Sequence, residues 1–147
     1  MKKYGKVEVA IDLGEYSEDL IERALAVTES PSAVHIVFVH QRADTIYTEV
    51  GPMGSAVAQF STIEDRLRQD LEDRLRGWAE AYDIPVGNAH FLVGKPSSQI
   101  LEFARANDIE LIVIGTHSRK GLQRLLGSTA HSVLQHGERD VLAIHAD

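Results

Sequence analysis

The sequence contains no cysteine among its 147 residues. The chain can therefore form neither disulfides nor thiolate metal sites, which is compatible with a reducing compartment. It also has no apolar run long enough to cross a bilayer, and its first fifteen residues, MKKYGKVEVAIDLGE, lack the apolar stretch of a secretory signal. We expect a cytoplasmic protein without a membrane partner.

Positive charge is also scarce, because 15 Lys and Arg stand against 22 Asp and Glu. Nonspecific binding to nucleic acid needs a broad basic face, so we expect no nucleic-acid partner. The remaining composition, 44% hydrophobic and 25% charged, is ordinary for a globular protein. It predicts one domain, residues 1–147, with its own core.

Acidic residues are in turn absent from one segment. Between Gly115 and Gly137 there is no Asp or Glu, whereas Arg119, Lys120 and Arg124 make this segment locally positive. It follows an apolar run and is rich in glycine. Backbone N–H groups at glycines and at a helix N-terminus bind phosphate. The segment therefore predicts a site for a nucleotide or another phosphorylated ligand.

Runs rich in Val and Ile alternate with helical patterns, which is typical of a parallel α/β sheet with helices on both faces. The predicted strands are residues 7–12, 34–40, 89–93, 111–115 and 141–145. We expect Ser17 to cap a first helix that ends near Ser30, and Ser61 to open a second through a capping box. A third should follow Pro96, and a fourth should follow Gly127–Ser128 and end at Gly137.

The second helix has the longest apolar stripe, and the connection before it is also unusually long. Residues 41–60 are predicted to form a loop that could act as a lid. The expected apolar stripe of the second helix is Ile63, Leu67, Leu71, Leu75, Trp78 and Tyr82. In the fourth helix, Val133 and Leu134 are expected to face inward.

Several residues are candidates for the anion site. Asp12 ends the first strand, at the edge where open α/β sheets bind ligands, but it could equally serve a turn. Gly115 follows the fourth strand directly; alone it would predict only a turn, but with Gly121 and Gly127–Ser128 it favours an anion site. His117 could contact a phosphate or its metal, or could simply be a solvated loop histidine.

Catalytic and metal-binding motifs are not evident. His131 and His136 are five residues apart and so do not share a helix face, which argues against a protein metal site. The stretch that ends at Pro96 is not a P-loop, because that motif needs Ser or Thr at the position of this proline. Ser118 does not lie in a G-x-S-x-G elbow, so a serine hydrolase is not predicted.

Three stretches cover much of the chain: VAIDLGEYSEDLIERAL, LVGKPSSQILEFARANDIELIVIGTHS and RLLGSTAHSVLQHGERDVLAIHA. With them the chain resembles the universal stress protein family over nearly its whole length. The resemblance implies a single-domain, five-stranded parallel sheet of strand order 3-2-1-4-5. It also implies the Rossmann-like architecture of the adenine nucleotide alpha hydrolase-like class.

The ATP-binding branch of that family holds the phosphates and ribose with the motif G-x2-G-x9-G-[ST]. Here Ser118 stands at the second glycine, and only eight residues separate it from Gly127. A serine still offers its N–H and adds a hydroxyl. The resemblance places Asp12 and Val39 at the adenine. The other nucleotide contacts that it implies are Gly115, His117, Ser118, Arg119, Gly127, Ser128 and Thr129.

The implied function is an ATP-binding stress-response module, with Mg²⁺ carried by the phosphates, that acts through conformational or partner-binding changes. Because Asp12 is assigned to the base, no dedicated general base remains and we expect at most slow hydrolysis. We also expect a homodimer through the last strand, DVLAIHAD. Two alternatives stay open. One is a nucleotide-free dimer acting only through protein contacts, and the other is an adenylating enzyme, which would need a further motif.

Overall fold

The computed structural model describes residues 3–41, 54–116 and 123–145, with the backbone alone described at 54–61 and 123–126. Within these residues one sheet contains the strands β1 Val7–Ala10, β2 Val34–His40, β3 Ala89–Val93, β4 Leu111–Gly115 and β5 Asp140–Ile144. All four pairings are parallel, and the order is β3-β2-β1-β4-β5. The predicted fold and strand order are confirmed.

In the described part of the chain, four α-helices cover the two faces of this sheet: α1 Ser17–Ala26, α2 Gly54–Ala81, α3 Pro96–Ala106 and α4 Gln123–His136. One core cluster contains residues of α1 and α2, and the other contains residues of α3 and α4. The central strands β1 and β4 are buried along their whole length. Alternate residues of these strands supply both clusters, which explains their continuous apolar pattern.

Three predicted boundaries of α1 and α2 are wrong. Ser17 is not a cap, because it lies inside α1 and its buried Oγ has no hydrogen-bond partner among the described atoms. That helix ends at Ala26, before Ser30. Ser61 does not open a helix either, since α2 already begins at Gly54. Residues 54–60 of the predicted loop are therefore helical, and residues 42–53 lie outside the described part of the chain.

The apolar stripe of α2 is buried only in its second half. Leu75 is in the core and Leu71, Trp78 and Tyr82 pack against it, but Ile63 is 61% and Leu67 43% exposed. A helix of 28 residues extends about 42 Å, roughly twice the length of a strand of five to seven residues. The helix therefore extends beyond the sheet at its amino end, before Glu64 contacts His40. In α4 the prediction for Leu134 is also wrong, because this side chain is exposed.

Candidate functional site

The carboxyl ends of β2, β1 and β4 lie side by side. Ala10 in β1 pairs with Val37 of β2 on one side and with Ile114 of β4 on the other. Asp12, Val39 and Thr116 each come two residues after one of these paired positions, in β1, β2 and β4 respectively. The strand order reverses between β1 and β4, and open α/β sheets bind ligands at such a switch point. The register therefore brings these three residues to one candidate site.

Asp12 forms a tight turn at the end of β1. Its Oδ1 accepts a hydrogen bond from the Gly14 N–H at 2.8 Å, and its side chain is only partly buried. This is the turn role that an Asp-x-Gly sequence favours. The turn occupies one carboxylate oxygen and holds the carboxylate at the switch point.

The end of β2 is held by α2 and by the loop after β3. Nε2 of His40 lies 3.2 Å from Oε2 of Glu64, and both side chains are largely buried. The His40 carbonyl accepts a hydrogen bond from the Gly94 N–H at 3.0 Å. The Val39 side chain packs against the core cluster of α3 and α4. Only the main chain of Val39 is therefore suited to contact a base.

The end of β4 contacts both β5 and α4. The Thr116 N–H donates to the Ile144 carbonyl at 2.9 Å, directly after the buried Gly115. A Cβ placed on Gly127 would lie 3.7 Å from the Thr116 carbonyl oxygen, an ordinary van der Waals distance. Gly127 therefore lies beside the switch point, although it is eleven residues further along the chain than Thr116.

The position of Gly127 within α4 differs from the sequence prediction. The helix begins at Gln123, so Gly127 and Ser128 do not open it. In a helix that begins there, the Gly127 N–H is bonded inside the helix and is not free for phosphate. A glycine inside a helix costs about 1 kcal/mol relative to alanine, and the burial of Ala130 and Val133 on the sheet can offset this cost.

A second group of titratable side chains lies nearer the amino end of the sheet. Glu8 of β1 is completely buried, and neither carboxylate oxygen has a hydrogen-bond partner among the described atoms. Burial raises the pKa of Glu8 to about 9, against a smaller lowering by the charge of Arg139. In β2 and β3, His35 Nδ1 and His90 Nε2 are 3.1 Å apart. Burial lowers the pKa of both histidines, and the charge of His90 lowers that of His35 further.

The sequence matches the model of the universal stress protein family over residues 3–145. The chain belongs to this family. Universal stress protein A homolog 1 of Coxiella burnetii is 32% identical over 142 residues, which are 96% of each chain.

Two solved structures of the family have the same fold. A universal stress protein in complex with cAMP has a TM-score of 0.56 and 23% identity, over 97% of this chain and 98% of that one. A family protein from Arabidopsis thaliana with AMP bound has a TM-score of 0.51 and 18% identity, over 97% and 92% of the two chains.

In this universal stress protein, the predicted contacts fall into three groups. Asp12, Val39 and Gly115 are at the ends of neighbouring strands, and Gly127 reaches the same edge through Thr116. In α4, Ser128 is exposed and Thr129 is buried. The roles of all of them in nucleotide binding stay predictions. The residues of the third group lie outside the described part of the chain: His117, Ser118 and Arg119.

Two residues of this edge were not predicted. Thr116 follows Gly115 directly, so its place at a strand end could have been inferred from the sequence. Arg74 of α2 donates a hydrogen bond from Nη2 to the Leu13 carbonyl at 2.7 Å. No sequence pattern indicates that contact, because 61 residues separate the two partners.

The described residues contain neither a cluster of metal ligands nor a membrane-spanning helix. No group of three or more His, Asp or Glu side chains in residues 3–41, 54–116 and 123–145 could hold a metal ion. None of the helices in these ranges is long and apolar enough to cross a membrane.

Proposed function

We propose that this universal stress protein binds an adenine nucleotide, ATP with Mg²⁺ on its phosphates, at the carboxyl edge between β1 and β4. The observation that carries the proposal is the register that brings Asp12 beside Thr116, whose carbonyl oxygen lies 3.7 Å from the position of a Cβ on Gly127. Switch points of open α/β sheets are the usual ligand sites. The protein acts in the cytoplasm as a homodimer, through nucleotide-dependent changes in shape or partner binding.

Each part of the ligand has a matching part of the edge. The Asp12 carboxylate accepts a hydrogen bond from the adenine amino group, and the main chain at Val39 contacts the base. The phosphates lie toward the segment that follows Gly115, which is free of acidic residues. The family members solved with cAMP and with AMP support an adenine nucleotide as the ligand class.

Rapid ATP hydrolysis is not part of the proposal. Asp12 is the carboxylate assigned to this edge, and it is engaged by the Gly14 N–H and by the base. It is therefore not placed to activate a water molecule near the phosphates. Slow hydrolysis can still follow from positioning and from Mg²⁺ alone.

A nucleotide-free dimer is the second candidate, and one observation favours it. The Gly127 N–H lies inside α4, so it is not available to a phosphate in this conformation. Mass spectrometry of the protein purified without added nucleotide separates the two candidates. Co-purified ATP or AMP supports the first. If no nucleotide is found and millimolar Mg-ATP does not raise the melting temperature, the second is correct.

Substitutions at Gly127 test the site itself. In Gly127→Ala the added Cβ has room beside Thr116, and alanine is the better helix former by up to about 1 kcal/mol. We expect this variant to be at least as stable as the wild type but to bind ATP more weakly. Gly127→Asp adds a negative charge and should abolish binding.

Gly77→Ala is the matched control. Gly77 also lies inside a helix, at an exposed position, and a Cβ there meets nothing within 4 Å. This variant should gain similar stability and bind ATP like the wild type. Isothermal titration calorimetry on proteins of verified fold gives the comparison. If folded Gly127→Asp binds ATP as tightly as the wild type, Gly127 is not at the phosphates.

A further inference from the structure

The turn after β1 contains a strained leucine. Leu13 has a φ of 63°, in the left-handed region. For an L-residue other than glycine this conformation costs roughly 1–2 kcal/mol. The other two such residues in the described part of the chain, Asp83 and Asp108, follow helices and have short polar side chains that tolerate it. The strain at Leu13 lies beside Asp12, and strained backbone often has a functional reason.

Three contacts hold the turn in this conformation. The Leu13 side chain is only 3% exposed and belongs to the core cluster of α1 and α2. The Gly14 N–H donates to Asp12 Oδ1 at 2.8 Å. From α2, Arg74 Nη2 donates to the Leu13 carbonyl at 2.7 Å. The last contact is charge-assisted, so it is stronger than a bond between neutral groups.

The two hydrogen bonds share a single peptide group. The Leu13 carbonyl and the Gly14 N–H belong to the same planar trans unit, in which they point in opposite directions. When Arg74 holds the carbonyl, it therefore also directs the N–H toward Asp12. The guanidinium charge polarises this peptide and strengthens the bond to the Asp12 carboxylate. Arg74 thus acts on Asp12 without touching it.

We propose that Arg74 is a positioning residue that orients the Asp12 carboxylate toward the adenine base through the Leu13–Gly14 peptide. This inference rests on the proposed function, because it gives Arg74 a role in the same site. It predicts that Arg74 contributes to the choice of base and not to the binding of phosphate. A purely structural arginine would instead affect all nucleotides alike.

Calorimetry with ATP and GTP tests the role of Arg74. Arg74→Met keeps an unbranched, flexible stem but removes the guanidinium donors, and we expect about tenfold weaker ATP binding, equivalent to about 1.4 kcal/mol. Its affinity for GTP should stay within about twofold of the wild type, so the preference for ATP narrows. Arg74→Lys keeps the charge and a donor and should restore part of that preference. Arg76→Met is the control, because Arg76 pairs with Asp73 on the same helix.

A second measurement uses the nucleotide-free protein. The amide resonance of Gly14 should move in Arg74→Met and stay in place in Arg76→Met. If the wild type binds no nucleotide, the proposed function is refuted, whether or not the Gly14 resonance moves. If the wild type prefers ATP and Arg74→Met keeps the same affinity and preference, the proposed function stands and the role of Arg74 is refuted. An unmoved Gly14 resonance in Arg74→Met would refute it as well.

Discussion

Replacement of the buried Glu8 by glutamine is expected to stabilise the protein at neutral pH. Both oxygens of Glu8 lack hydrogen-bond partners among the described atoms, and burial raises its pKa from 4.5 to about 9. The folded protein therefore retains a proton that the unfolded chain releases between these two pH values. The stability that protonated Glu8 contributes is fully present below pH 4.5 and is lost as the pH rises toward 9.

The magnitude follows from the size of this window. At about 1.4 kcal/mol per pH unit, keeping Glu8 protonated costs about 3 kcal/mol at pH 7. Glutamine has nearly the same shape as the protonated acid and does not ionise. Glu8→Gln should therefore unfold at a melting temperature roughly 6–12 °C higher at pH 7. Below pH 4.5 the two proteins should be equally stable.

Urea unfolding at pH 4.5, 7 and 8.5 is the assay, because it gives the free energy of unfolding of both proteins at each pH. Glu102→Gln, on the exposed face of α3, is the control and should not change stability at any pH. The reasoning is refuted if Glu8→Gln is less stable than the wild type at pH 7. That result would mean that Glu8 is ionised and paired with Arg139. The geometry argues against such a pair, since Arg139 Nε donates to the Ile109 carbonyl at 2.8 Å.

Three further predictions concern other residues. The pKa values of His35 and His90 are lowered by burial, so stability should be lost as the pH falls below 6.5. In a Glu8→Gln background, His90→Phe should reduce this loss. If the free energy of unfolding falls with pH as steeply with His90→Phe as without it, the prediction is wrong. The Ile144 carbonyl bonds to Thr116, so the backbone of Ala143 faces the free sheet edge. Sedimentation should therefore show a wild-type dimer and a folded Ala143→Pro monomer, with Ala143→Ser as the control; a monomeric wild type would exclude this interface. Ser128 is exposed inside α4, so Ser128→Ala should raise stability by up to about 0.5 kcal/mol. The same variant should bind ATP more weakly because it lacks the hydroxyl. Unchanged affinity in calorimetry would exclude a contact between that hydroxyl and ATP.

Local pattern was sufficient for the limits of three strands. The predicted strands 7–12 and 141–145 are instead observed as Val7–Ala10 and Asp140–Ile144. The predicted limits of β2, β3 and β4 agree with the structure, because each run rich in apolar residues is bounded by turn residues. Strand ends such as Asp12 and Gly115 could therefore be placed at one edge once the order was known. The order itself came from the family resemblance and not from the periodicity.

Helix ends were harder, because side-chain caps are weak signals. Ser17 and Ser61 have the residue types of caps, but a cap contributes about 1 kcal/mol, and packing of the helix on the sheet can outweigh it. Gly127 was expected at a helix start for the same reason. Its position inside α4 depends instead on the contact of that helix with β4.

The sequence by itself determined the fold class, the limits of three strands and the family with its expected nucleotide contacts. Only the tertiary structure decided the burial of Glu8, which follows from the central place of β1 between two helical layers. It also decided that Arg74 holds the turn at Asp12. Both depend on contacts between residues far apart in the chain, whereas sequence patterns report mainly the preferences of near neighbours.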